Sequence, residues 1–126
     1  MSLTNTFETR TLQWLFDDAA VTRPTAWYVG LYTAAPSDTG GGTEVSGGSY
    51  ARKSVSFTIS GDTASNSAAV EFDAATASWG TITYAGIFDA STGGNLIAYA
   101  ALTTAKAIDT DDVLRIPAGD LDVTMD

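Results

Sequence analysis

Acid–base and nucleophilic catalysis in proteins runs mostly through histidine and cysteine, and this 126-residue chain has neither. Carboxylates, lysine and tyrosine are what remain for such chemistry. The acids gather at Asp17-Asp18, at Asp109 with Asp111-Asp112, and at Asp120 with Asp122. The first pair closes a helical pattern and the others fall in turns or on the outer side of a strand, where acids are ordinarily solvated. Asp109-Thr110-Asp111-Asp112 offers hard oxygen ligands of the kind Ca²⁺ takes, but the glycine and the distal bidentate glutamate of the known calcium loop are missing. Thr39 to Gly48 is as glycine-rich as a phosphate-binding loop, yet no Gly-Lys-Ser/Thr ends it and no helical pattern follows. The expectation is therefore no enzyme, no catalytic residue, no metal site and no cofactor.

Binding chemistry is better represented. Trp27, Tyr28, Tyr32, Tyr50, Trp79, Tyr84 and Tyr99 would form a carbohydrate platform if several shared an exposed face, but their setting in apolar strands predicts core packing instead. Arg52-Lys53, next to Tyr50, is the one adjacent basic pair in the sequence. It is either a solvated strand start or an anchor for a partner.

These residues must be held by elements, and the stretch Ala26 to Arg52 organises them. Trp27, Val29 and Leu31 alternate with Tyr28 and Tyr32, so neither face of this strand suits water and it reads as a central strand covered on both sides. Ala34 to Ser49 follows as a long loop with Gly40-Gly41-Gly42 and Gly47-Gly48; Thr39 to Ser49 is expected to be mobile until a neighbour orders it. Before the strand, Asn5 to Ala20 is the helix candidate, with Asn5 as cap and Glu8 in the capping-box position. Its apolar residues exceed a single stripe: Leu3, Phe7 and Trp14 fall on one side, and Leu12, Leu15 and Phe16 spread over another. Either the helix lies in a groove between its own sheet and a loop, or part of it packs on a second subunit.

Downstream, Tyr50 to Ile59 alternates as a half-buried strand with Val55, Phe57 and Ile59 inward, and Ala68, Val70 and Phe72 mark a further short strand. Trp79 to Phe88 and Asn95 to Leu102 are apolar at both parities, like the central strand, and Asp89 to Gly94 between them is a hairpin signal. Gly86 marks a bulge or a close backbone approach. Val113 to Ile116 and Leu121 to Met125, around Pro117-Ala118-Gly119, suggest a last hairpin. The pattern predicts a mainly β single domain, 1–126: an antiparallel β-sandwich or jelly-roll-like fold with one N-terminal α-helix.

Composition limits the partners. With six basic against fifteen acidic residues, a formal charge of −9 and a pI near 4.1, the chain is a poor ligand for nucleic acid or an anionic membrane. No apolar run approaches the ~20 residues of a membrane helix, and the first residues carry no basic region followed by an apolar one. Synthesis in a reducing cytoplasm, without export signal or disulfide, is expected.

LYTAAPSDTGGGTEVSGGSYARKSV, FDAATASWGTITYAGIFDASTGGNLIAYAALTTAKAI and IPAGDLDVTMD together resemble a family of small tailed-bacteriophage virion proteins. Its members are commonly labelled tail-fibre-like, and resemble the β-rich cement or decoration proteins of phage heads. Thr110-Asp111 departs from the Gly-Asp turn usual at that place. The resemblance implies a non-enzymatic virion structural protein, foremost a capsid cement or decoration protein that stabilises the head shell. The alternative it implies is a tail fibre, neck or baseplate component, with or without a carbohydrate-binding role. The expected partners are further copies of the chain, as dimer or trimer, and the major capsid protein or another virion protein. Trp14, Phe16, Glu44, Tyr50, Arg52 and Lys53 are the expected contact residues.

Overall fold

The computed structural model describes residues 1–18 and 20–125. Ala19 and Asp126, which the expected helix and the expected last strand included, lie outside the described residues. Twelve elements follow one another: β1 (Ser2–Leu3), α1 (Asn5–Phe16), β2 (Tyr28–Ala34), β3 (Thr43–Glu44), β4 (Lys53–Ser54), β5 (Phe57–Ser60), β6 (Thr63–Asn66), β7 (Val70–Glu71), β8 (Gly80–Phe88), β9 (Leu96–Ile108), β10 (Arg115–Ile116) and β11 (Asp122–Thr124). Strand pairing is antiparallel throughout, so the fold is mainly β with one N-terminal helix.

The largest sheet runs β1-β9-β8-β2-β3, with β4 also paired to β2. β2 therefore has neighbours on both edges, and its apolar residues at both parities are explained. Val29 and Leu31 are fully buried on one face, while Tyr32 is buried on the other. On that second face Gly30 sits opposite Gly86 across the β2–β8 ladder. A Cβ on Gly30 would stand 2.6 Å from the Phe88 ring, and one on Gly86 2.7 Å from Leu96 and 3.1 Å from Tyr32. The paired glycines make the trough in which Phe88 and Tyr32 lie, stacked with centroids 6.1 Å apart. Of the two roles open to Gly86, close approach is the one it fills.

Against the first face pack the smaller sheets, β11-β6-β5 and β10-β7. Val29, Leu31, Ile82 and Ala85 meet Val70, Phe72, Leu114, Ile116 and Leu121 in one core, with Trp79, Val45 and Val55 at its margin. The arrangement is sandwich-like. Trp79 stands edge-on to both Tyr50 and Phe72 and donates its Nε1–H to the Gly48 carbonyl at 2.9 Å.

Several boundaries differ from the sequence expectation. α1 ends at Phe16 rather than Ala20, with Asp17 already extended. Two carboxylates, Asp17 and Asp18, stand where the helix dipole is negative, and no basic residue occupies the last turn to offset them. Its cap is Thr4, not Asn5. Thr4 makes no side-chain cap bond; its buried Oγ1 instead donates to the Leu96 carbonyl at 2.7 Å, tying the helix start to β9. Glu8, four residues on, falls outside the capping-box position and bonds the Thr4 carbonyl through its backbone N–H.

The expected strand Tyr50 to Ile59 breaks at Val55-Ser56 into β4 and β5, which belong to different sheets. The Val55 N–H bonds the Trp27 carbonyl, holding the chain to β2 up to that point. Beyond it β5 pairs with β6, and Ile59 is left 75% exposed. The expected final hairpin does not form either. β10 pairs with β7 and β11 with β6, because the buried Asn66 captures the intervening turn: its Nδ2 donates to the Pro117 carbonyl and its Oδ1 accepts from the Leu121 N–H, each at 2.9 Å. The hairpin at Asp89 to Gly94 is present, with Gly93 and Gly94 at positive φ and the Asp89 carboxylate accepting from the Asn95 backbone at 2.7 Å. β9 runs past Leu102 to Ile108, with a register shift between the pairs Tyr84–Ala101 and Ile82–Lys106. That shift lies where the apolar run gives way to Thr103-Thr104.

The glycine loop is only partly a surface excursion. Its second half belongs to the fold: β3 pairs with β2, Val45 is buried, its N–H bonds the Leu31 carbonyl, and Gly48 bonds both Trp79 and Thr76. Of the stretch Thr39 to Ser49 expected to be mobile until a neighbour orders it, Thr43 to Gly48 is thus hydrogen-bonded within the domain, and before it a short Ser37–Gly40 bridge closes the turn.

Candidate functional site

Side-chain chemistry concentrates at two places. One is a charged latch at the top of the second face. Glu44 on β3 and Arg52, just before β4, meet in a bidentate pair, Nε to Oε2 and Nη2 to Oε1, both at 2.8 Å. The second terminal nitrogen of Arg52, Nη1, donates to the Ala90 and Gly93 carbonyls of the β8–β9 hairpin at 2.9 and 2.8 Å. The guanidinium lies 3.4 Å over the Phe88 ring. Tyr50 donates its hydroxyl to Glu44 Oε2 at 2.7 Å and accepts from the Leu31 N–H at 2.9 Å.

The Arg52 side chain is only 9% exposed, so four of its five N–H donors and its π face serve the domain itself. The field of this latch reaches its neighbours. Burial, then the Glu44 hydrogen bond, push the Tyr50 phenol far above its usual range. Burial, then the Glu44 charge, push Tyr32 up to about 12. The hydrogen bonds it donates to Glu44 raise Arg52 further.

Three of the expected contact residues, Glu44, Tyr50 and Arg52, are thus brought together, and they face one another. Lys53 points elsewhere, bridging to Asp73 at 2.9 Å with both side chains accessible. Of the aromatic residues weighed as a sugar platform, Trp79 and Tyr32 are buried and Trp27 and Tyr50 pack against the core, while the half-buried Tyr28, Tyr84 and Tyr99 lie with Tyr32 on the second face of the large sheet. Asp109 and Asp112 close a turn on each other, the Asp109 N–H bonding Asp112 Oδ2 at 2.9 Å, while Asp111 takes the positive φ of 72° next to Thr110.

The other place is α1. It is anchored through Phe7, its one buried residue, and beyond that turn its apolar side chains are open: Leu12 59%, Trp14 73%, Leu15 56% and Phe16 83% exposed. Neither side of the groove-or-subunit alternative is filled by the chain itself at these positions. Between the helix and Val21–Pro24 runs a cleft of about 330 Å³, with Phe7 and Trp14 on one wall and Arg10 and Arg23 beside them. The Arg10 guanidinium sits 4.8 Å over the Phe7 ring. The sequence reading gave neither arginine a binding role; what marks them is that neither is in an ion pair among the described residues of an acidic chain.

A latch that binds its own domain and a helix that leaves four large apolar residues in water describe a piece of an assembly. The family model described as Podophage GP4 fiber I protein gp80 matches residues 2–124. The chain belongs to that family. As a member of this phage fibre protein family it is a structural protein of the virion. No curated protein matches the chain. Among the described residues no helix is long and apolar enough to cross a membrane, and no three acids lie close enough to hold a metal ion.

Proposed function

We propose that the chain is a non-enzymatic building unit of a virion fibre, held in the particle through α1. The observation that carries this reading is the exposure of Leu12, Trp14, Leu15 and Phe16 on one short helix. Isolated exposed apolar residues are ordinary on protein surfaces, but four within two turns, Trp14 on the cleft side and Leu12, Leu15 and Phe16 around the other, are more than one short helix ordinarily leaves in water, and an assembly covers them. The β domain behind it has one packed core, and the Glu44–Arg52 latch ties the β8–β9 hairpin to it, as suits a part that carries load rather than chemistry. Trp14 and Phe16 are the partner-contact residues of this reading. Lys53 contributes at most a rim charge, and Glu44, Tyr50 and Arg52 act by keeping the domain in shape.

Fibre and capsid decoration make different demands on location, and the fibre reading takes its support from the name of the family to which the chain belongs. Immunogold labelling of purified particles with an antibody to the chain separates them. Label on appendages of the tail is the expected result. Label spread over the head shell would establish the decoration role instead, and particles without label would remove both.

A further inference from the structure

We propose that the cleft between α1 and Val21–Pro24 is the acceptor for a second copy of this chain, whose Phe16 fills it and whose Asp18 faces its arginines. The proposal rests on the reading of α1 as an assembly surface and names what covers it. The cleft has an aromatic wall, Phe7 and Trp14, and two cations, Arg10 and Arg23, with no acid among its lining residues. In a chain with fifteen acids and six basic residues this is a local inversion of charge. Neither arginine forms an ion pair among the described residues; Arg10 influences Asp89 through space without bonding it. An occupant that complements the cleft is apolar with a carboxylate close behind.

The chain presents that combination on its own surface. Phe16 is 83% exposed, the highest value among its exposed large apolar side chains, and Asp18 two residues later is exposed as well. A copy cannot fill its own cleft with Phe16. At about 100° per residue, Phe16 stands nine residues and roughly 180° around the helix from Phe7, on the opposite side from the cleft. Donor and acceptor on opposite faces give a head-to-tail contact, which closes into a ring when the rotation allows. Aromatic burial supplies the affinity, and the arginine–carboxylate complementarity sets register and partner choice.

The test uses the purified chain and two variants in sedimentation velocity, each checked for an unchanged melting curve. Phe16→Ala removes the donor and leaves the cleft; Arg10→Glu with Arg23→Glu spoils the cleft and leaves Phe16. The wild type should sediment as a closed oligomer, well above its 13.1 kDa monomer mass. Phe16→Ala should weaken association roughly thirtyfold, the scale of a lost interface hot spot, and the charge reversal by roughly tenfold in a salt-dependent way. Mixed in equal amounts, the two variants should form a one-to-one heterodimer and stop there, because one working donor and one working acceptor remain. A monomeric wild type, variants that keep the wild-type mass, or a mixture that stays monomeric overturns the proposal. So does a monomeric wild type whose cleft binds an acidic peptide from another protein. Failure in isolated protein leaves the fibre location standing, since labelling of particles decides that separately.

Discussion

Arg52 shows how a residue that reads as a docking charge can be a structural one. The sequence displays a basic pair at a strand start, where reversal to Glu would be harmless to folding. The structure separates the two. Arg52→Glu would set a carboxylate against Glu44 and leave the Ala90 and Gly93 carbonyls without their donor, costing roughly 3 kcal/mol, whereas Lys53→Glu, at an accessible bridge, should cost well under about 1 kcal/mol. Chemical denaturation of the two single variants checks this, and equal midpoints would refute it. The same latch sets an alkaline limit. The folded state holds the Tyr32 proton more tightly than the unfolded chain, so that contribution is complete below 10.0 and is lost as pH rises through about 12; Tyr50 acts in the same direction. Ultraviolet titration should find two of the five tyrosines ionising only as the fold melts, and a single phenolate step in an intact protein would contradict it.

At the level of elements, what was legible followed burial and what was not followed long-range pairing. β2 and β8, and the Asp89 to Gly94 hairpin, could be read because both-sided burial and turn glycines are written locally in residue type. The break at Val55, the diversion of β10 and β11 to separate partners, and the unheralded β6 depend on where Trp27 and Asn66 place their hydrogen bonds, information that lies tens of residues away. α1 stopped early because of Asp17-Asp18, a signal present in the sequence but outweighed there by helical periodicity. The residues of the proposed contact divide the same way: Trp14 and Phe16 could be read from an apolar arc too wide for one face, while Arg10 and Arg23 become visible only once Val21–Pro24 folds back beside the helix. The Gly30–Gly86 trough offers a test at this scale. Gly30→Ala puts a methyl group 2.6 Å from the Phe88 ring and 2.8 Å from Glu44, so it should cost about 1–3 kcal/mol by overpacking. Its φ lies outside the left-handed range, so strain from the backbone does not enter. An unchanged thermal midpoint would show that the trough relaxes freely.

On the scale of the whole molecule, a packed β domain carries an unfinished surface. The core lies between the large sheet and the two small ones, and α1, held by Phe7 and by the Thr4 bond to β9, leaves the apolar side chains of its last two turns in water. Membership of the fiber I protein family makes the chain a virion protein, and the proposal is that the virion completes that surface. A reconstruction of the intact particle at side-chain detail measures this most directly. The account predicts Trp14 and Phe16 covered by a neighbouring polypeptide, with the Glu44–Arg52 latch unchanged inside its own domain. Trp14 and Phe16 facing solvent in the assembled particle, with contacts made elsewhere, would contradict it.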